Sequence, residues 1–303
     1  MAISMLLVLG TTGLAIAVVV RENRTFDAPY PEIRASRDPA VIARGRYLAT
    51  GPAHCVSCHA EPGQPASAEP HLAGGMAFDL PVGTFYAANI TPDPTTGIGR
   101  YSDRELARVL RHGVHPTGRA VLPFMPFANL SDSDLTAVIS YLRSRPAVAH
   151  AVPAHDINVL GRIVKAFLLE PTGPTRTPPS TVTPELAPAY GEYLANTVAN
   201  CVGCHTNRNL RTGEMTGKPF AGGLEIESHT QAGTKFVTPN LTSHATGHIT
   251  SWSEDAFVAR FKAGVPTASP MPWGEFKNMT DDDLRAIYRY LRQLPPATTG
   301  EAP

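Results

Sequence analysis

Two short motifs hold the residues best placed to do chemistry. They are Cys55-Val56-Ser57-Cys58-His59 and Cys201-Val202-Gly203-Cys204-His205, and together they contain all four cysteines of the chain. In each, two thiols three positions apart are followed at once by an imidazole. Thiols at that spacing can form thioethers to the two vinyl groups on one edge of a porphyrin, and the next residue's ring nitrogen then lies under the iron. Three other chemistries use cysteine pairs: a redox-active disulfide, a zinc ion shared by four thiolates, and two structural disulfides of an exported protein. None of these needs a histidine directly after both pairs. A shared zinc also wants the pairs close, whereas Cys58 and Cys201 are 143 residues apart. The pattern therefore predicts two covalently attached haem c groups, held by Cys55, Cys58, Cys201 and Cys204, with His59 and His205 as proximal iron ligands.

The second axial ligands follow from an internal repeat. A shift of 146 residues lays Gly45-Arg46-Tyr47-Leu48-Ala49 on Gly191-Glu192-Tyr193-Leu194-Ala195, and the two cysteine motifs keep that offset. Asn89-Ile90-Thr91 then matches Asn240-Leu241-Thr242, Tyr101-Ser102 matches Trp252-Ser253, Gly113-Val114 matches Gly264-Val265, and Tyr141-Leu142-Arg143 matches Tyr290-Leu291-Arg292. Register held over a whole unit marks a duplication. Of the seven methionines, Met1 and Met5 lie in the N-terminal apolar run, Met76 and Met279 align with leucines, and Met215 has no counterpart. Met125 and Met271 correspond, each flanked by prolines and each 66 residues after its histidine. Proline fixes φ and holds such a loop extended, which suits a thioether approaching iron from the distal side. Met125 and Met271 are the expected sixth ligands. His112, His115, His244, His248 and His54 have no matching histidine in the other copy, so surface or turn roles are expected for them.

These residues must be positioned by helices. Asp38-Pro39 predicts a helix to about Ala49. Ser102-Asp103-Arg104-Glu105 reads as a capping box ahead of Leu106, Val109 and Leu110. Ser131 starts a helix with Leu135, Val138, Ile139 and Leu142 at helical spacing, and Thr280 starts its counterpart with Leu284, Ile287, Tyr288 and Leu291. No alternating strand pattern stands out, so each unit is expected to be mostly helix around one haem.

Composition sets the outer limits. Hydrophobic residues at 43% rule out wholesale disorder. Aromatic residues at 7% are too few to fill two cores with rings, which leaves room for a bound group. Pro (29) and Gly (25) predict long, turn-rich connections. Lys plus Arg equals Asp plus Glu at 26 each, so no basic excess exists to grip nucleic acid.

Several stretches carry a family resemblance: Leu80-Pro81-Val82-Gly83-Thr84-Phe85-Tyr86-Ala87-Ala88-Asn89-Ile90-Thr91-Pro92-Asp93, then Thr96-Gly97-Ile98-Gly99, Met125-Pro126-Phe127, and Cys204-His205-Thr206-Asn207-Arg208-Asn209-Leu210. Over about residues 40–296 the chain resembles the multihaem cytochrome c subunits of membrane-bound bacterial alcohol, gluconate and aldehyde dehydrogenases. The resemblance implies class I cytochrome c folds, His/Met haems and electron transfer on the periplasmic side of the cytoplasmic membrane. Asn158 to Leu169 is similar to the helix that joins units in that family. Those subunits usually carry three haem units, and this chain has two motifs.

The expected architecture is mostly α: two tandem class I cytochrome c domains after an N-terminal membrane helix. Residues 1–20 have no charged side chain and, as a helix, would span ~30 Å, one bilayer core. A cleaved signal peptide is the alternative, with Ala15-Ile16-Ala17 as its cleavage site, but the segment lacks an early Lys or Arg. Arg21 and Arg24 after the run oppose the orientation that a periplasmic haem domain needs. A linker is expected over 21–37, the first cytochrome c domain over 38–150, and a helix plus Pro/Thr-rich linker over 151–183. The second domain follows over 184–296 and a flexible tail over 297–303. Within 157–169, Val159, Leu160, Ile163, Val164, Phe167 and Leu168 form a broad apolar face expected to pack across the two units, with a membrane-surface role as the alternative.

Function follows from the haem sites, since the chain supplies no nucleophile or acid–base pair of its own. Methionine on both irons leaves no position for substrate, which argues against a dihaem peroxidase. The expected role is electron relay rather than catalysis. The expected partners are redox proteins or a membrane complex: a dehydrogenase, a quinol-oxidising complex or a terminal oxidase.

Overall fold

The computed structural model describes residues 2–63, 69–209, 213–228, 233–264 and 269–303, with side chains in the first helix from Leu9 onward. Met1, the side chain of Met5, Leu210 of the resembling stretch, and Val265 and Pro266 of the repeat lie outside these. Contacts group the chain into two units: residues 1–45 with 58–178, and residues 46–57 with 179–303.

The first unit begins with α1 (Ala2–Arg21). The N-terminal helix expected from the sequence forms, and it exposes Leu9, Leu14, Ile16, Val19 and Val20. Among the described residues, however, no helix is long and apolar enough to cross a membrane. The transmembrane assignment therefore rests on sequence alone.

Helix α2 (Pro39–Thr50) starts where Asp38 Oδ1 accepts from the Ala40 amide at 2.8 Å, with proline at the first helical position. It is followed by the short α3 (Val56–His59), the antiparallel hairpin β1 (Ala77–Leu80) and β2 (Gly83–Tyr86), α4 (Asp103–His112) and α5 (Asp132–Ser144). Next come β3 (Asp156–Ile157), which pairs with β2, and α6 (Val159–Phe167). The capping box at Ser102 and Glu105 is complete, and Gly113 ends α4 in the left-handed conformation. Ser131 caps α5, whose Leu135, Val138, Ile139 and Leu142 are all buried, as their spacing predicts. The strands were not expected: at two to four residues each, they are too short for alternation to register in the sequence.

The second unit holds α7 (Pro188–Tyr193), which runs into one π turn over Leu194–Val198, then α8 (Cys201–Cys204) and the hairpin β4 (Glu225–Glu227) and β5 (Lys235–Val237). Helices α9 (Glu254–Lys262), α10 (Trp273–Phe276) and α11 (Asp281–Leu291) complete it. Thr280 caps α11, which buries Leu284, Ile287 and Leu291. The aligned packing residues Leu130, Leu224 and Met279 are each at most 2% exposed, as the repeat implies.

One contact recurs in both units. A Cβ on Gly45 of α2 would sit 1.8 Å from the Ala137 carbonyl oxygen of α5, and one on Gly191 of α7 would sit 1.9 Å from that of Ala286 in α11. Helices α2 and α5, and likewise α7 and α11, cross backbone to backbone, and only glycine permits that approach. Arg44 of α2 reinforces the first crossing with two bonds to Asp134 of α5 at 2.9 and 3.0 Å.

The C-terminal tail, expected to be loose, is tied down. Ala297 is 3% exposed and its carbonyl accepts from Asn240 Nδ2 at 2.6 Å; the Lys218 amide donates to the Glu301 carbonyl at 2.8 Å. Composition suggested a loop, but backbone bonds that link the tail to distant residues are invisible in composition.

Two predictions follow from this packing. Gly45→Ala and Gly191→Ala each force a methyl into a filled crossing and should cost about 1–3 kcal/mol, read as a melting temperature several degrees lower. The Glu301 carboxylate is held at about 2 by the Lys218 ammonium and by the Thr298 amide and hydroxyl. A carboxylate lowered in the folded state contributes stability above its unfolded pKa and loses it as pH falls through the folded one. Amide-exchange protection at Lys218 and Gly300 should therefore be complete above about pH 4.5 and fall progressively from there toward pH 2. Glu301→Gln should weaken it at neutral pH and remove its pH dependence.

Candidate haem-binding sites

Each cysteine motif sits in a tight turn entered through an unusual residue. His54 and Asn200, immediately before the first cysteine, both have positive φ, 39° and 50°. Their carbonyls accept from Ser57 and Gly203 at 3.0 Å, which starts the short helices α3 and α8. The sequence aligned these two positions, yet their shared backbone conformation is not a property of either residue type. In the second unit a Cβ on Gly203 would meet the Asn200 side chain at 2.3 Å, so a larger residue there would require that side chain to shift.

The two histidines are held alike. His59 Nδ1 donates to the Ala88 carbonyl at 2.8 Å, and His205 Nδ1 donates to the Pro239 carbonyl at 3.0 Å. A committed Nδ1 proton leaves the Nε2 lone pair free, the tautomer a metal ligand needs. Burial pushes both imidazoles below their usual range, which favours the neutral, ligating form. The backbone carbonyls of the same histidines accept from Gly74 and Gly222, both at 2.8 Å. These glycines have φ of 75° and 67°, and a Cβ on either would lie within about 2.5 Å of the chain that carries the accepting carbonyl. A glycine cradle thus presses that chain against each histidine.

The residue after each accepting carbonyl locks the arrangement. Asn89 Oδ1 accepts from the Thr91 amide and hydroxyl at 3.0 and 2.7 Å, while its Nδ2 donates to the Val148 carbonyl at 2.8 Å. Asn240 does the same with Thr242 at 2.8 Å and the Ala297 carbonyl at 2.6 Å. Both asparagines are buried. Sequence reasoning saw Asn89 and Asn240 as matched positions but assigned them no role. Their signal was there: a polar residue duplicated in register 30 and 35 residues beyond its histidine.

His59 and Met125 fall in the first unit, and His205 and Met271 in the second. Both methionines are half-buried in turns without regular structure. The Met271 carbonyl accepts from the Trp273 amide at 2.8 Å, which starts α10 directly after the Pro-Met-Pro segment. The other histidines serve locally: His115 Nδ1 bonds Thr117, His244 Nδ1 bonds Thr246, and His248 packs on Trp252.

These residues fit covalent haem. None of the four cysteines is in a disulfide. Burial, then the neighbouring Cys204, pushes the Cys201 thiol up to about 12. Burial also raises Cys204, against the pull of Arg208. Such neutral thiols suit thioether formation rather than a thiolate zinc site. Among the described residues, no group of three or more His, Cys, Asp or Glu could hold a metal ion. Trp273 Nε1, two residues past Met271, and Arg208 Nε, three past His205, are buried with no hydrogen-bond partner among the described residues. Buried donors of this kind call for an acceptor from a bound group or water.

A pyridine haemochrome assay on denatured protein should therefore give about two covalent haems per chain, and Cys204→Ala should lose the second while keeping the first. Zero covalent haem with bound zinc would overturn the assignment.

Comparison with known proteins agrees with this geometry. Residues 42–146 match the cytochrome c family, and residues 187–291 match the family described as cytochrome c oxidase, cbb3-type, subunit III. The chain is 34% identical over 292 residues to the cytochrome c subunit of the quinone alcohol dehydrogenase of Gluconobacter oxydans (strain 621H), covering 87% of this chain and 57% of that one. It is 31% identical to the gluconate 2-dehydrogenase cytochrome c subunit of Pantoea cypripedii, covering 84% and 60%. It is 28% identical to a dihaem c-type cytochrome of Cereibacter sphaeroides, covering 97% and 96%. The chain thus spans about three fifths of the length of these two dehydrogenase subunits. With a family match around each C-x-x-C-H motif and the same histidine setting built twice, the chain carries two tandem cytochrome c domains and resembles the cytochrome c subunits of alcohol and gluconate dehydrogenases.

Proposed function

We propose that the chain relays single electrons through two His/Met haems on the periplasmic side of a bacterial cytoplasmic membrane, as the electron-accepting subunit of a membrane dehydrogenase. The observation that carries this reading is the duplication of the whole proximal setting, with Met125 and Met271 at the same distance of 66 residues from His59 and His205. Haem iron, when bound, supplies a one-electron couple.

The protein's part is to hold that couple and tune it. The cysteine thioethers tether the porphyrin, and the Nδ1 hydrogen bonds of His59 and His205 orient the ring nitrogen and raise its basicity. Met125 and Met271 would supply thioether ligands to the iron, leave it no place for water or substrate, and raise its potential relative to a second histidine. The flanking prolines limit how far each loop can withdraw its thioether. The names of the relatives support a dehydrogenase as electron donor. The apolar run at 2–20 supports attachment to the membrane, and covalent haem supports the periplasmic side.

The test is spectroscopic, on protein purified from native membranes in mild detergent. Met125→Ala and Met271→Ala should each remove about half of the long-wavelength Met–iron charge-transfer band of the ferric protein and lower the potential of one haem only. Each should also open one iron to carbon monoxide. Unchanged spectrum and potential in Met125→Ala would overturn the ligand assignment and leave His112 or His115 as candidates for the first haem. A dehydrogenase should co-purify in the same preparation; a quinol-oxidising complex or terminal oxidase instead would overturn the partner.

A further inference from the structure

The longest stretch of exposed apolar surface outside the haem sites lies on α6 and the end of α1, two helices of the first unit that pack on each other. Helix α6 is seated by its small residues. Gly161 faces the β2 side so closely that a Cβ would lie 2.0 Å from the Val82 carbonyl oxygen, and Ala166 is fully buried. Asn158 pins the N-terminus, capping the Gly161 amide at 2.9 Å and donating to the Pro81 carbonyl at 2.9 Å. That seating turns the large apolar residues outward: Val159 is 76% exposed, Leu160 53% and Leu168 70%.

The end of α1 is fastened to the same helix. Arg21 Nε donates to the Ala166 carbonyl at 3.4 Å, and its guanidinium lies 5.3 Å from the centre of the Phe167 ring. Arg24 donates to the Leu169 carbonyl at 2.6 Å and pairs with Glu170 at 2.7 Å, and Glu22 meets Arg162 at 3.8 Å. Whatever α1 enters, α6 must lie beside. The fastened region carries Arg21, Arg24, Arg162 and Lys165 against Glu22 and Glu170, an excess of positive charge in a chain with none overall.

We infer that α6 lies flat in the headgroup boundary of an anionic lipid bilayer, with Val159, Leu160 and Leu168 in the acyl region and the cations at the phosphates. The physical case has three parts. Soluble surfaces rarely leave contiguous large apolar side chains in water. An apolar face edged by Arg and Lys is the pattern of an interfacial helix, whose long cationic side chains reach back to the headgroups. The excess positive charge matches anionic phosphatidylglycerol headgroups rather than a neutral surface. The inference rests on the membrane reading above and adds a second contact to it. The first haem domain is thereby held against the bilayer instead of swinging on a single helix.

The experiment uses the full-length haem-loaded protein carrying Leu160→Cys or, separately, Leu168→Cys. The native thiols are consumed by the haems, so an environment-sensitive fluorophore labels only the new cysteine. The protein is mixed with vesicles of phosphatidylethanolamine and phosphatidylglycerol, with and without a phospholipid brominated near the headgroup end of its chains. Co-sedimentation of haem absorbance with the vesicles reads the membrane attachment itself. A blue shift and bromine quenching at both positions, weaker when phosphatidylcholine replaces phosphatidylglycerol, is the expected result. Vesicle-bound protein whose labels stay water-like and unquenched would overturn the interfacial helix while leaving the attachment intact, and would assign that face to a protein subunit. Protein that stays in the supernatant would overturn the attachment, and this inference with it.

Discussion

The close crossing of α2 with α5 in the first unit, and of α7 with α11 in the second, is the constraint on which the other features depend. Gly45 against Ala137 and Gly191 against Ala286 bring two backbones into contact with no side chain between them. Such an approach fixes the separation of the helices to within a methyl group, because packed interiors do not stretch. Everything between the crossings is loop-rich, and turns alone would not hold a flat, rigid cofactor in one place. The α2–α5 and α7–α11 pairs therefore act as frames, and the haem motif and methionine loop of each unit are strung between their arms.

Inside each frame, backbone carbonyls do most of the positioning. A carbonyl from the chain 29 or 34 residues beyond each histidine takes its Nδ1 proton, and a glycine amide takes the histidine's own carbonyl. Side chains could drift in sequence without harm to this scheme: one acceptor belongs to Ala88 and the other to Pro239, which share nothing but the peptide group. The buried asparagines are the exceptions. Asn89 and Asn240 each satisfy a threonine and a distant carbonyl at once, a task that needs an acceptor and a donor on one short side chain.

The units differ in what surrounds the frame. The first has a three-stranded ribbon and carries α1 and α6, with their outward leucines and valines. The second has a charged hairpin, in which Lys235 lies opposite Glu227 and forms an ion pair with Glu225, and a tail bound by Lys218 and Asn240. The duplicated cores thus carry divergent peripheries.

Much of this was legible in the residues themselves. The haem motifs, the repeat, the capping box at Ser102 and the apolar spacing of α5 and α11 are local patterns, and each is written within about a dozen residues because covalent attachment and helix formation are local events. Met125 and Met271 could be singled out only because duplication provided a second copy for comparison. The acceptors at Ala88 and Pro239, the shared positive φ at His54 and Asn200, the ordered tail and the outward face of α6 could not be read that way. Each depends on backbone groups brought together from distant parts of the chain, and a backbone carbonyl has no signature in the sequence. Tertiary structure alone decided which carbonyl meets which ring, and which side of an apolar helix is left uncovered.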